Sequence, residues 1–145
     1  LDENRNNCSL NFMAFYAGGF IYNSRTKEIL LHLRDDKTKN NPNLWAFFGG
    51  LSEAGEKPEE TFKREVSEEL DILIDKIEFL RDYFNPDFDT HRYVYFVQVG
   101  ENPNFHLGEG VLAKWFKIPD VFNLELSKRT EEDLLYFKEN VLRNK

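Results

Sequence analysis

Cysteine is nearly absent: Cys8 is the single one in 145 residues. No intramolecular disulfide can form, and no Cys/His cluster points to a zinc site. Long apolar runs are missing too. Nothing approaches the roughly 20 apolar residues of a membrane-spanning helix, and no signal peptide is visible. A cytoplasmic protein with no membrane partner is expected. Positive charge is in short supply, with 19 Lys and Arg against 26 Asp and Glu and a formal net charge of −7. A long polyanion is poorly attracted to such a surface, so no nucleic acid polymer is expected as a partner. A small polyphosphate bridged by a metal ion stays compatible, because the ion inverts the local electrostatics. Asn7-Cys8-Ser9 matches a glycosylation acceptor and reads as chance in such a chain.

What is present is one domain's worth of chain, read as 1–145 with a polar, asparagine-rich and flexible stretch over 1–9. Aromatic residues make up 15% of it, with 14 Phe, so an aromatic-rich core is expected. Phe12 to Tyr22 reads as a strand in which Gly18-Gly19 marks a bulge or a close backbone approach. A turn over 23–26 leads to a second strand, Glu28 to Leu33, and so to a hairpin. Residues 34–43 form a polar loop, and Leu44 to Phe48 is short and aromatic. Lys76 to Tyr83 and His91 to Val99 read as strands separated by a turn-rich segment. The second is apolar nearly throughout and therefore central. Val111 to Ile118 is the last strand. Pro119-Asp120 starts a short helical turn. Ser127 or Thr130 caps a final helix whose apolar face is Leu134, Phe137, Val141 and Leu142. Strands, helix, strands, helix is the pattern of an α+β, or mixed α/β, protein with a sheet between helices.

The stretch Gly49 to Ile72, GGLSEAGEKPEETFKREVSEELDI, carries the chemistry. Pro58 suits a first helical turn, where its missing N–H has no partner. Glu59 and Glu60 favour the positive end of the helix dipole. Phe62, Val66 and Leu70 recur at i, i+4 and i+8 as an apolar stripe. The far end breaks local rules. Glu65 and Glu69 repel at i, i+4, at a cost of about 0.2–0.5 kcal/mol. Glu68 and Glu69 lie near the C-terminus, where the dipole disfavours anions by roughly 0.3–1 kcal/mol each. Arg64 offsets part of this through Glu68 at i+4. Rules broken without local gain mark a functional site, and the simplest missing partner is a hard divalent cation such as Mg²⁺, with Mn²⁺ as the alternative.

The same stretch resembles the Nudix box, G-x5-E-x7-R-E-U-x-E-E-x-G-U with U a bulky aliphatic. Gly50, Glu56, Arg64, Glu65, Val66, Glu68, Glu69 and Ile72 stand at that spacing. Asp71 replaces the glycine that ends the helix. Aspartate tolerates left-handed geometry better than most residues, so a modified helix end is expected. Phe48 stands where many relatives have proline. The resemblance implies a Nudix-type α/β/α sandwich with a mixed central sheet and the box as loop–helix–loop. It also implies hydrolysis of a diphosphate linkage in a nucleoside diphosphate or triphosphate derivative. Candidate substrates are oxidised nucleoside triphosphates, ADP-ribose, dinucleoside polyphosphates and nucleotide sugars.

By motif position, Glu68 and Glu69 are metal ligands, and Glu65 is a further ligand or orients the water. The Gly49 carbonyl is an extra ligand, Arg64 holds the glutamates, and Glu56 braces the loop. Relatives often add an acid from a later loop, for which Glu109 is the candidate and Glu101 the alternative. Arg34 and His32 can bind phosphate. Phe84 can stack on a base, as can Tyr83, Phe47 and Trp45, while Trp115 reads as core. Asp35 and Asp36 read as loop solvation. Homodimers are common among such proteins, and no feature here specifies an interface. Two other readings remain. One is a nucleotide-binding sensor that keeps the fold without cleaving. The other is a diphosphate-ester isomerase, which would want a cysteine acid/base better placed than Cys8.

Overall fold

The computed structural model describes residues 13–34, 42–108 and 111–143. Cys8, the 1–9 segment, Asp35, Asp36 and Glu109 lie outside the described residues. Among those described, seven strands form one mixed sheet, and three helices cover it. The strands are β1 (Tyr16–Asn23), β2 (Glu28–Leu33), β3 (Trp45–Ala46), β4 (Phe48–Leu51), β5 (Ile77–Asn85), β6 (Thr90–Val99) and β7 (Leu112–Lys117). The helices are α1 (Pro58–Leu70), α2 (Ile118–Val121) and α3 (Lys128–Phe137). The last continues into a π-helical turn over Lys138–Leu142.

β1 organises the sheet. Along one edge it pairs in parallel with β6 over its whole length, Tyr16↔Arg92 to Asn23↔Val99. The opposite edge is divided. Tyr16 to Gly19 pair antiparallel with β4, and Ile21 to Asn23 with β2. β5 lies outside β6, and β7 runs beside β2. β6 is thus interior, as its apolar run predicts. Helices cover both faces, and the period of two along each strand sorts the side chains. Phe20, Tyr22, Leu31, Val94 and Phe96 face α3, where Leu134 and Phe137 complete one core. Ala17, Ile21, Leu30, Tyr95 and Val97 face α1, where Phe62, Val66 and Leu70 complete the other. Burying each large side chain of that α1 stripe contributes about 1.5–3 kcal/mol.

Several boundaries differ from the sequence reading. β1 starts at Tyr16, not Phe12, and β5 runs on through Phe84 to Asn85. The irregularity in the sheet falls in β5, between Phe79 and Arg81. The glycine pair in β1 marks a close approach: a Cβ on Gly19 would sit 1.8 Å from the carbonyl oxygen of Tyr95 on the neighbouring strand. Trp115 is half-buried at the margin of the α1-side core, so it is not a central core residue. Ser127 occupies the N-cap position of α3, but its side chain makes no capping hydrogen bond.

Candidate active site

α1 is held at both ends by its own sequence. Pro58 fills the first turn, and Glu60 accepts from the Lys57 N–H at 2.8 Å. The helix ends at Asp71, which adopts left-handed geometry (φ 56°, ψ 43°) and donates its N–H to Ser67. The aspartate does the work of the expected glycine. A later loop closes over this end: His106 N–H bonds to the Leu70 carbonyl and Gly108 N–H to the Glu69 carbonyl, both at 3.0 Å. Glu109 follows directly in the chain, outside the described residues, and Glu101 is exposed.

Arg64 is the hub of the box. Its Nε donates to Glu56 Oε2 at 2.6 Å and its Nη2 to Glu56 Oε1 at 3.1 Å, a two-pronged pairing. Nη1 reaches Glu65 at 3.0 Å and Glu68 at 3.5 Å, and Nη2 also bonds to the Leu51 carbonyl at 3.1 Å. Glu56 in turn accepts from the Glu53 N–H and the Thr61 hydroxyl, both at 2.8 Å. The Arg64 guanidinium is the main reason that the Glu56 carboxyl is pulled down to about 2. One arginine thus ties the loop to the helix and aims two glutamates.

Glu65 and Glu69 share a hydrogen bond. Burial, and then the Glu65 charge, push Glu69 up to about 8. Burial raises Glu65 as well, against the pull of Arg64. Glu68 is the exposed member. Gly50 packs directly on Glu65, where a Cβ would lie 2.6 Å from Oε2. At Gly49 a Cβ would instead meet Gly18 Cα at 2.5 Å and the Tyr16 hydroxyl at 2.6 Å, so backbone packing already requires that glycine. Among the described residues no three His, Cys, Asp or Glu side chains converge as a metal-holding group. The donor set nevertheless fits a hard cation. Two carboxyls crowded by burial share a proton, and a divalent ion is the natural replacement for it.

The proposed substrate residues separate in space. His32 is buried on β2 with its ring edge-on to Phe48, and its Nδ1 lies 3.3 Å from Glu69 Oε1 without a hydrogen bond. Burial, with help from Arg34, lowers it to about 4, so it is neutral at pH 7 and offers a phosphate no charge. It faces the glutamates. Arg34 lines a cavity of about 460 Å³ that reaches Gly49 and Gly50. Tyr16, Phe47, Asn85, Phe88, Thr90 and Arg92 also line it. Phe84 is exposed and is not part of the lining, whereas Phe88, four residues on, is.

Behind the cavity lies a feature absent from the sequence reading. Asp133 on α3 is fully buried. Its Oδ1 accepts from Arg81 Nε (3.1 Å), Arg81 Nη2 (2.9 Å) and the Tyr83 hydroxyl (2.8 Å), and its Oδ2 accepts from Arg92 Nε at 2.9 Å. Tyr83, a stacking candidate by sequence, serves this network, and burial together with Asp133 holds its hydroxyl above the usual range. A signal was present. Arg92 shares its strand face with Val94 and Phe96, and Asp133 shares its helix face with Leu134 and Phe137. Opposite charges embedded in two apolar faces need each other.

The NUDIX domain family profile matches residues 14–138. A structure from a study of MutT of Aliivibrio salmonicida and Vibrio cholerae is 25% identical at a TM-score of 0.68, covering 87% of this chain and all of that one. The MutT protein of Methanosarcina mazei is 20% identical at a TM-score of 0.70, with 89% and 96% of the two chains covered. The NUDIX domain of Shewanella oneidensis NrtR, in a complex with ADP ribose, is 17% identical at a TM-score of 0.71 over 95% of this chain and 99% of that one. No curated protein matches.

Proposed function

We propose, from the premise that this chain belongs to the NUDIX domain family, that this pyrophosphohydrolase requires Mg²⁺ and cleaves the diphosphate linkage of a nucleoside diphosphate or triphosphate derivative. The observation that carries the reading is the Arg64-centred cluster of Glu56, Glu65 and Glu68, with Glu69 bonded to Glu65, at the rim of the cavity that Gly49 and Gly50 share. Local charge rules alone would disperse these acids.

Cleavage of a phosphoanhydride is largely a matter of placing water and neutralising the charge on phosphate oxygens. Glu65, Glu68 and Glu69, with the Gly49 carbonyl, are the groups that would hold Mg²⁺ or Mn²⁺, which when bound supplies charge neutralisation and a more acidic water. Glu109 is the further ligand we propose from the later loop. In the balanced reaction the water oxygen attacks phosphorus, the bridging P–O bond breaks, and the water proton passes to a carboxylate, for which Glu65 is the candidate. Arg64 is a positioning residue: it touches the glutamates and braces them through Glu56. The cavity would take the part of the substrate beyond the cleaved diphosphate, with Phe88 offering aromatic surface. The ADP ribose bound by the NrtR domain supports a small nucleotide as the ligand. The whole of 1–145 is read as one domain.

The test is a turnover screen with Mg²⁺ over canonical and oxidised nucleoside triphosphates, ADP-ribose, dinucleoside polyphosphates and nucleotide sugars, with Glu69→Gln as control. One substrate turned over by the wild type and lost in the variant is the expected result. Silence across the panel, with Mg²⁺ still raising the melting temperature, would replace the enzyme reading with a nucleotide sensor.

A further inference from the structure

The cavity beside the glutamates contains a cation that the hydrolytic reading leaves unused. Arg92 is 7% exposed and lines the cavity. Its Nε is fixed on Asp133 Oδ2, and its guanidinium carbon lies 4.4 Å from the Tyr16 ring centroid and 5.7 Å from that of Phe47. Among the described residues its two terminal nitrogens make no hydrogen bond. Asp133 serves Arg81 as well as Arg92, so among the described residues two arginines share one carboxylate and one positive charge is left over.

A second observation meets the first across the cavity. Ser127 and Thr130, at the N-terminus of the ten-residue helix α3, also line it. The Ser127 hydroxyl does not cap the helix; it donates to Thr130 Oγ1 at 2.8 Å. The first-turn amides therefore keep their pull on an anion. Asp87, the acid on the adjacent β5–β6 turn, is engaged by Arg129 at 2.8 Å and Lys128 at 3.5 Å. No Asp or Glu lines the cavity among the described residues, while Arg34 and Arg92 both do. In a chain of net charge −7, a lining with arginines and no acid among the described residues runs against the surrounding field.

We propose that this cavity binds a phosphate-type oxyanion between the Arg92 fork and the N-terminus of α3, and that the substrate carries a second phosphate group remote from the diphosphate that is cleaved. A guanidinium with two terminal donors fixed in one plane matches two oxygens of a phosphate, and helix amides complete such a site. The rival occupant, the carbonyl edge of a base, would use the fork but leave the helix end and the excess charge unanswered. The oxyanion site stands on the geometry alone; the statement about substrate rests on the hydrolase reading.

The test begins with isothermal titration of inorganic phosphate into the metal-free full chain in a chelating buffer, which keeps the glutamates out of the measurement. One phosphate per chain is expected. Ser127→Asp places a carboxylate at the helix end, so it should weaken phosphate binding by about 10- to 100-fold while keeping or raising the melting temperature. Arg92→Lys, which retains the charge and loses the fork, should weaken binding similarly. Should that variant unfold, Ser127→Asp decides alone. No phosphate binding to the wild type, or equal binding to Ser127→Asp, overturns the site. So does tight binding of a bare nucleoside in its place.

Turnover then compares diphosphates that differ only in one remote phosphate, such as NADP⁺ against NAD⁺. A preference of about tenfold or more in kcat/KM for the phosphorylated member, reduced in Ser127→Asp, is expected. Equal turnover overturns the statement about substrate. Phosphate binding without turnover of any compound would sink the hydrolase reading and leave the oxyanion site standing.

Discussion

Asp133→Asn is the substitution that tests the structure most severely. The side chain is fully buried and takes four hydrogen bonds, three on Oδ1 and one on Oδ2, from two arginines and a tyrosine. Asparagine keeps the shape but loses the charge. If its oxygen stays with Arg81 and Tyr83, its NH₂ group faces the N–H of Arg92, donor against donor. Removing one partner of a buried ion pair costs about 3–5 kcal/mol, most of it from the charge left behind. Arg92 is buried and takes that full penalty, while Arg81 is partly exposed and recovers some solvation. A loss of about 4 kcal/mol is expected. Unfolding entropy near 2.1 cal/mol/K per residue gives about 300 cal/mol/K for this chain, so 4 kcal/mol corresponds to roughly 13 °C of melting temperature. Scanning calorimetry on metal-free protein measures it. Glu132→Gln, on the exposed side of the same helix, is the control and should shift stability by no more than about 0.5 kcal/mol. The double variant Arg81→Gln/Asp133→Asn should cost less than the two single losses together by about 1–2 kcal/mol. An Asp133→Asn protein within about 1 kcal/mol of wild type would refute the buried network.

Other expectations concern the box. Glu69 has its folded pKa raised from 4.5 to about 8. The folded state therefore holds the proton more tightly, so the contribution of Glu69 to metal-free stability should be complete below pH 4.5 and be lost as pH rises toward 8. Glu69→Gln should remove this loss in chemical denaturation at several pH values, and an unchanged slope would show that the buried Glu69 carboxyl is not its source. Glu56 shifts the other way, from 4.5 to about 2. Its contribution is complete above pH 4.5 and disappears as pH falls toward 2. Glu56→Gln should cost about 1–2 kcal/mol at pH 7 and flatten that acid limb; an acid limb like that of wild type would remove Glu56 from the account. Gly50→Ala sets a methyl against the movable end of Glu65. Turnover should drop while the melting temperature stays within a few degrees, and full activity would contradict the packing of Gly50 on Glu65.

What could be read from the chain alone was whatever depends on near neighbours. The span of α1, its Pro58 start, its left-handed end at Asp71 and its Phe62, Val66, Leu70 stripe all follow from residues within a turn or two of one another. The hairpin of β1 and β2 and the interior place of β6 followed from turn residues and apolar runs. The Arg64 to Glu68 contact is an i, i+4 pair, and the box spacing brought the remaining acids with it. Side chains that meet across the sheet were beyond that reach. His32 carries the same imidazole whether exposed or buried, and only burial beside Glu69 makes it neutral. Asp133 lies 52 residues from Arg81 and 41 from Arg92. No local period links positions so far apart. They meet because β1 takes β6 along one edge while β2 and β4 divide the other, and because α3 packs on the face that Arg92 shares with Val94 and Phe96. Chain connectivity sets which residues are available to pair, and the closing of the sheet between its helices selects the ones that do.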